Sequence, residues 1–317
     1  MTKATALFLD KASVFPDDLD FTSLEEVAGW QWFDNVNLSD IRHCLADAEI
    51  IVTNKIVISR EVMADCPHLK LVCVAATGVN NVDIEAARQK DIKVCNVRAY
   101  ATASVAQHVF SLILSLNRKL FTYREAAING QWSHSDFFCF FGAPISDLEG
   151  KTLGIIGYGE LGHAVARIAR SFGMDVLIAK RGDEDHREGR VELATLLTMA
   201  DVVSLHCPLT ESNYHLFGEK ELSLMKAGAI LINTARGGLI DEQALLHVLQ
   251  ARKISAALDV LELEPPPVNH ALLNYHADNL IITPHIAWAS RESRQRLVNE
   301  IAKNIQAFQQ GEPRNIV

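Results

Sequence analysis

Almost from end to end, the chain alternates short apolar runs with segments whose apolar positions recur at helical spacing. In the first hundred residues ATALFL, EIIVT, LKLVCVAA and IKVCN read as strands. SDIRHCLADA, SREVMADC and DIEAARQKD lie between them and read as helices. Strands joined by helix-length connections imply parallel pairing through right-handed crossovers. A second series begins near Lys151, with TLGIIG, DVLIA, DVVSLH, AILINT, SAALDV and NLIITP as strand candidates. The pattern predicts an α/β protein with two doubly wound parallel-sheet domains and a cleft between them.

The long apolar segment ASVAQHVFSLILSLNRKLFTYREAAING is expected to form one helix joining the two series, ending at Gly130. The amphipathic segment RESRQRLVNEIAKNIQAFQQG is expected to return to the first. This places one discontinuous domain at 1–100 plus 287–317 and a second at 101–286, in keeping with about two domains for 317 residues. A formal net charge of −9 argues against a nucleic-acid partner, because phosphate contacts need clustered Lys and Arg. No apolar run approaches the ~20 residues of a membrane helix, and the first residues carry no secretory h-region. Six cysteines without a CxxC pair read as reduced thiols, so a cytoplasmic location is expected.

The run GYGELG sits between the strand TLGIIG and a helical segment. In that context Gly157 permits a tight turn, Gly159 lets a pyrophosphate approach the backbone, and Gly162 allows close helix–strand contact. Backbone N–H groups around Glu160 and Leu161, at the helix start, would meet the phosphates, with the Glu160 side chain turned to solvent. The second series is therefore expected to be a Rossmann-type dinucleotide-binding domain. Twenty-three positions after Gly157, near the ~20 at which a ribose-binding acid is expected, stand Lys180 and Arg181. Two cations there favour a 2′-phosphate, so NADP is preferred over NAD, although Asp183 leaves a displaced ribose acid open.

Three further segments end strands of the second series: NTARGGLID, DVLELEPP and TPHIAWAS, carrying Arg236, Glu264 and His285. Singly, each side chain has an ordinary structural explanation. Together with ATGVNNVD, NVRAYATASVAQH, LEGKTLGIIGYGELG, HCPLT and LMKAGAILINTARGGLID, they resemble the D-isomer-specific 2-hydroxyacid dehydrogenase family across nearly the whole chain. The segment NLIITPHIAWASRESRQRLVNE is most similar to the bacterial glycerate dehydrogenases, or hydroxypyruvate reductases, within it. The chain departs from the family in having Lys180 after the second strand and NVRAYAT in place of a proline-containing version.

The resemblance implies an oxidoreductase that moves a hydride between NAD(P)H and a small 2-oxo acid, hydroxypyruvate foremost and glyoxylate next. His285 would transfer the proton, Glu264 would hold its other ring nitrogen, and Arg236 would pair with the substrate carboxylate. Backbone N–H groups of Thr77, Gly78 and Val79 would cradle that carboxylate, with Lys55 as a further contact. Thr102, Cys207, Pro208 and Asp259 match positions beside the cofactor, Asp259 next to the nicotinamide carboxamide. Thr234, Ala235, Arg236 and His285 complete the expected cofactor contacts.

Alternatives are another member of the same chemistry, such as a phosphoglycerate dehydrogenase, and a dinucleotide-sensing corepressor or scaffold. No metal site is expected, since none of the twelve histidines falls in an HExxH pattern. The phenylalanine-rich run HSDFFCFFG suggests surface covered by a second copy, so a homodimer is expected, as the resemblance also implies.

Overall fold

The structure is a computed structural model that describes residues 3–182, 185 and 187–317. It divides into two compact units, Met1–Ala101 with Ala289–Val317, and Thr102–Trp288.

Among the described residues the first unit carries five parallel strands: β1 (Thr5–Phe8), β2 (Gly29–Trp32), β3 (Ile50–Thr53), β4 (Leu71–Val74) and β5 (Lys93–Cys95). Their order is β2-β1-β3-β4-β5, the flavodoxin-like arrangement. β3 and β4 are buried at every position. Helices on both faces of a parallel sheet leave no side for polar residues, which is why these strands read as unbroken apolar runs. β2 went unread in the sequence because it is an edge strand that alternates exposed and half-buried positions. Its Trp30 and Trp32 rings stack at 4.7 Å between centroids. The helix Arg291–Gln309 packs on this unit, with Ser290 as its N-cap accepting from the Ser293 N–H. Its buried Arg294 donates a guanidinium fork to Asp18, at 2.7 and 2.9 Å, and Asn304 bonds the Asn96 carbonyl at 2.9 Å.

The second unit holds seven strands among the described residues. They are β6 (Thr152–Ile156), β7 (Asp175–Ala179), β8 (Arg190–Val191), β9 (Val202–Leu205), β10 (Ile230–Asn233), β11 (Ser255–Leu258) and β12 (Leu280–Ile282). The order β12-β11-β10-β9-β6-β7-β8 is the dinucleotide-binding order with one strand added outside the sixth. All pairs are parallel. The two-residue β8 is too short to leave a sequence pattern. The single long helix expected through Gly130 is corrected to two, Thr102–Asn117 and Leu120–Ile128. The polar sequence Asn-Arg-Lys interrupts the apolar stripe, and Lys119 takes the left-handed φ of 52° that ends one helix and starts the next. Asn117 and Arg118 turn outward to the Ser146 carbonyl and to Asp147.

Candidate active site

Five strands of the second sheet stop in one registered row: Ile156 beside Leu205, Leu205 beside Asn233, Asn233 beside Leu258, and Leu258 beside Ile282. The next residue on each is Gly157, His206, Thr234, Asp259 and Thr283. Residues distant in sequence therefore leave the sheet side by side at its C-terminal edge, where ligands of such sheets bind, with the switch in winding direction between β6 and β9.

The glycine loop is built for close approach. A Cβ on Gly157, whose φ is 95°, would lie 2.5 Å from the Cys207 nitrogen, and one on Gly162 would lie 2.3 Å from the Gly157 carbonyl oxygen. A Cβ on Gly159 would meet nothing within 4 Å. The first and third glycines thus close the turn against backbone, and the second faces open space. Glu160 and Leu161 open the following helix, Glu160–Ser171. The exposed Glu160 carboxylate accepts a hydrogen bond from Thr102 at the start of the helix Thr102–Asn117. At the neighbouring strand ends, the Thr234 hydroxyl and His206 Nδ1 are buried without a hydrogen-bond partner among the described residues. Two orphaned polar atoms beside an open glycine turn fit a polar, phosphate-bearing ligand. Burial pushes the His206 imidazole down to about 4, so it stays neutral. Cys207 and Pro208 follow it; the Cys207 thiol is pushed up by burial, and the Pro208 carbonyl accepts from Asn213 at 2.8 Å.

His285 and Glu264 are brought together: His285 Nδ1 lies 2.6 Å from Glu264 Oε2. Glu264 Oε1 accepts the Leu261 N–H at 2.9 Å, which fixes the carboxylate. An ionised carboxylate only accepts, so Nδ1 donates to it and Nε2 is left as the ring atom for chemistry. His285 holds a left-handed φ of 54°, a conformation that costs a residue with a Cβ about 1–3 kcal/mol and is sustained only by its surroundings. Those surroundings include Asp259, 1% exposed, whose main-chain oxygen accepts the His285 N–H at 2.8 Å.

Arg236 follows Thr234 and Ala235 at the end of β10. Its turn is held by Asn233, whose side chain donates to the Arg236 carbonyl at 2.9 Å and accepts the Ala235 N–H at 3.0 Å. Gly237 allows the turn to press against the next strand's exit: a Cβ there would sit 1.9 Å from the Leu261 carbonyl carbon. The backbone after Arg236 therefore touches the backbone that leads to Glu264. The Arg236 guanidinium is half-buried and donates to the Ala235 carbonyl at 2.7 Å.

After β7, Lys180 is ion-paired with Glu192, and Arg181 is exposed. The turn beyond is tied by Asp185, which accepts the Arg181 N–H at 2.9 Å and a two-pronged guanidinium from Arg187 at 2.7 Å each. That fork holds the Asp185 carboxyl well below the usual carboxylate range. Asp183 lies outside the described residues. Arg190 stands over the Tyr158 ring of the glycine loop, 4.9 Å from its centroid.

The first unit places its own candidates at the ends of adjacent strands, β3 and β4, with Thr53 beside Val74. Lys55 is exposed, and its N–H donates to the buried Asp10 carboxylate at 2.7 Å. Asp10 also accepts the N–H groups of Asn54 and Ile56, so it shapes the whole turn. Thr77 is tied to Val97 through its hydroxyl at 2.9 Å and to Asn96 through its carbonyl at 2.7 Å. Gly78 follows it half-buried, and the Val79 side chain packs on the core. Asp10 is a site-shaping residue that sequence reading missed; a lone acid after an apolar strand gives no signal of the three backbone amides it collects.

Residues 110–287 match the family model described as D-isomer specific 2-hydroxyacid dehydrogenase, NAD binding domain. The glycerate dehydrogenase of Methylorubrum extorquens is 41% identical, over 100% of this chain and 99% of its own. The hydroxypyruvate reductase of Blautia hydrogenotrophica is 38% identical, over 98% of each chain. Among solved structures, the D-lactate dehydrogenase from Aquifex aeolicus, complexed with NAD and lactic acid, superposes with a TM-score of 0.82 at 31% identity. That alignment covers 97% of this chain and 96% of the other.

Proposed function

Because the chain belongs to the D-isomer specific 2-hydroxyacid dehydrogenase family, we propose that it interconverts hydroxypyruvate and D-glycerate, with glyoxylate as a second substrate. The observation that carries this reading is the His285–Glu264 pair at 2.6 Å, set at the ligand edge of an NAD-binding sheet. When bound there, the nicotinamide supplies the hydride that goes to the substrate's carbonyl carbon. His285, charged and held through Nδ1 by Glu264, gives the Nε2 proton to the oxygen that becomes the hydroxyl. In the opposite direction neutral Nε2 takes that proton back. Arg236 pairs with the substrate carboxylate and draws charge toward the carbonyl. The N–H groups of Thr77, Gly78 and Val79, with Lys55, are assigned to the same carboxylate.

Asp259, Thr102, Thr234, Ala235, Cys207 and Pro208 are assigned to the cofactor alongside the glycine loop. NADPH is favoured over NADH: Arg181 is the exposed cation at the ribose position, and Lys180 is shared with Glu192. A cytoplasmic location is supported by six cysteines without a disulfide and by the lack, among the described residues, of a helix able to cross a membrane. A homodimer is part of the same reading.

His285→Ala and Arg236→Ala are each expected to lower kcat/KM by at least ~10²-fold, the usual scale for a positioned acid or charge clamp, with cofactor affinity largely kept. Steady-state rates with hydroxypyruvate, glyoxylate and pyruvate, each with NADPH and NADH, test the substrate and cofactor assignments. Full activity in the His285 variant would remove it from proton transfer.

A further inference from the structure

One more histidine touches the row of strand ends from a helix. His108 lies on the helix Thr102–Asn117, and its Nε2 is 3.0 Å from the Thr283 hydroxyl. Thr283 Oγ1 in turn donates to Asp259 Oδ1 at 2.6 Å. A threonine hydroxyl has one hydrogen, and here it goes to the carboxylate. The His108 contact must then run the other way, with the ring nitrogen donating. His108 Nε2 also stands 3.5 Å from Asp259 Oδ1, which favours a proton on that side.

Asp259 passes this order on to the loop that carries His285. Its Oδ1 also accepts the Ile286 N–H at 2.9 Å, and its Oδ2 accepts the Ala287 N–H at 2.8 Å. These are the two amides after His285, so the carboxylate fixes the backbone on the far side of the left-handed residue. One helical turn before His108, Ser104 donates to the Ala287 carbonyl at 2.7 Å. Residues four apart share a helix face, so one helix grips the loop at two points.

We propose that His108 is a positioning residue for the dehydrogenase reaction. As the Nε2–H tautomer it starts a one-way hydrogen-bond chain, His108 to Thr283 to Asp259, that aims the imidazole of His285. Among the described residues three hydrogen bonds reach the Asp259 carboxylate, leaving part of its acceptor capacity for the nicotinamide carboxamide. The chain keeps that carboxylate turned in one orientation.

The inference rests on the reading of His285 as proton donor, and the experiment separates the two. Nitrogen-15 imidazole spectra of the wild-type protein should show His108 carrying its proton on Nε2. A bare Nε2 with the proton on Nδ1 would overturn the chain whatever His285 does. In kinetics, His108→Ala and Thr283→Val should each lower kcat about tenfold, as expected for loss of one buried hydrogen bond, with KM for the oxo acid changed less than ~2-fold. The double variant should be no worse than either single one, because both break the same chain. His108→Gln, whose amide reaches about as far as Nε2, should restore most of the rate. Additive losses, or a Gln variant as slow as Ala, would refute the proposal and leave His108 a packing residue. Activity unchanged by His285→Ala would instead refute the reading of His285, while the tautomer still decides the chain.

Discussion

His206 joins the chemistry of the ligand edge to the stability of the second unit. Its Nε2 is 2.9 Å from the Ser204 hydroxyl, and its Nδ1 is buried without a partner among the described residues. Part of its surface is accessible, yet the enclosed ring is what sets its titration. The folded value of about 4 is below the 6.5 of the free side chain, so between these pH values the unfolded chain binds a proton that the folded chain refuses. Its contribution is complete above pH 6.5 and is lost as pH falls toward about 4, on the order of 2 kcal/mol after allowing for partial exposure. Urea midpoints measured across that range should fall less steeply for His206→Asn than for the wild type. Parallel curves would mean that the ring finds a proton partner in the folded state.

Lys180 and Arg181, just after β7, are where the proposed preference for NADPH is tested. Lys180→Ala together with Arg181→Ala should raise the KM for NADPH about tenfold and leave that for NADH within ~2-fold, because only the 2′-phosphate uses these cations. An unchanged preference would move the determinant elsewhere, and Arg190 over Tyr158 would then be the cation to examine. At this scale the sequence was legible where burial left a pattern. Strands covered on both faces showed as apolar runs, and the residues following them supplied the candidates His285, Glu264 and Arg236, the first two of which lie 2.6 Å apart. Edge strand β2, the short β8 and the break at Lys119 were hidden, since each is set by tertiary context rather than by local periodicity. Thr283 and His108 were missed for a related reason. A histidine inside an apolar helix and a threonine after a strand reveal their roles only when the sheet brings them within hydrogen-bond reach.

At the scale of the whole molecule, the segment after the helix Leu120–Ile128 exposes Phe137 (73%), Phe138 (93%) and Phe141 (87%). Trp132, Phe121 and Ile128 of the same region are also exposed. So much apolar surface in one stretch is costly to leave in water, and a second copy of the chain is the proposed cover. Phe138→Asp combined with Phe141→Asp should convert a dimer to a monomer in light scattering coupled to size exclusion. A wild-type protein that already runs as a monomer would dismiss this part of the reading. The fold class was legible at this scale because two series of alternating elements can satisfy their apolar faces in few ways.

The registered row of strand ends has a consequence for how such a protein can change. Main-chain pairing alone locks Ile156, Leu205, Asn233, Leu258 and Ile282 side by side. The scaffold thus offers five adjacent slots whose occupants can be exchanged without disturbing the ladder beneath them. Drift in substrate or reaction should therefore accumulate one step beyond each slot's anchor, while the four apolar anchors tolerate only swaps of similar bulk and Asn233 is kept for the turn it bonds.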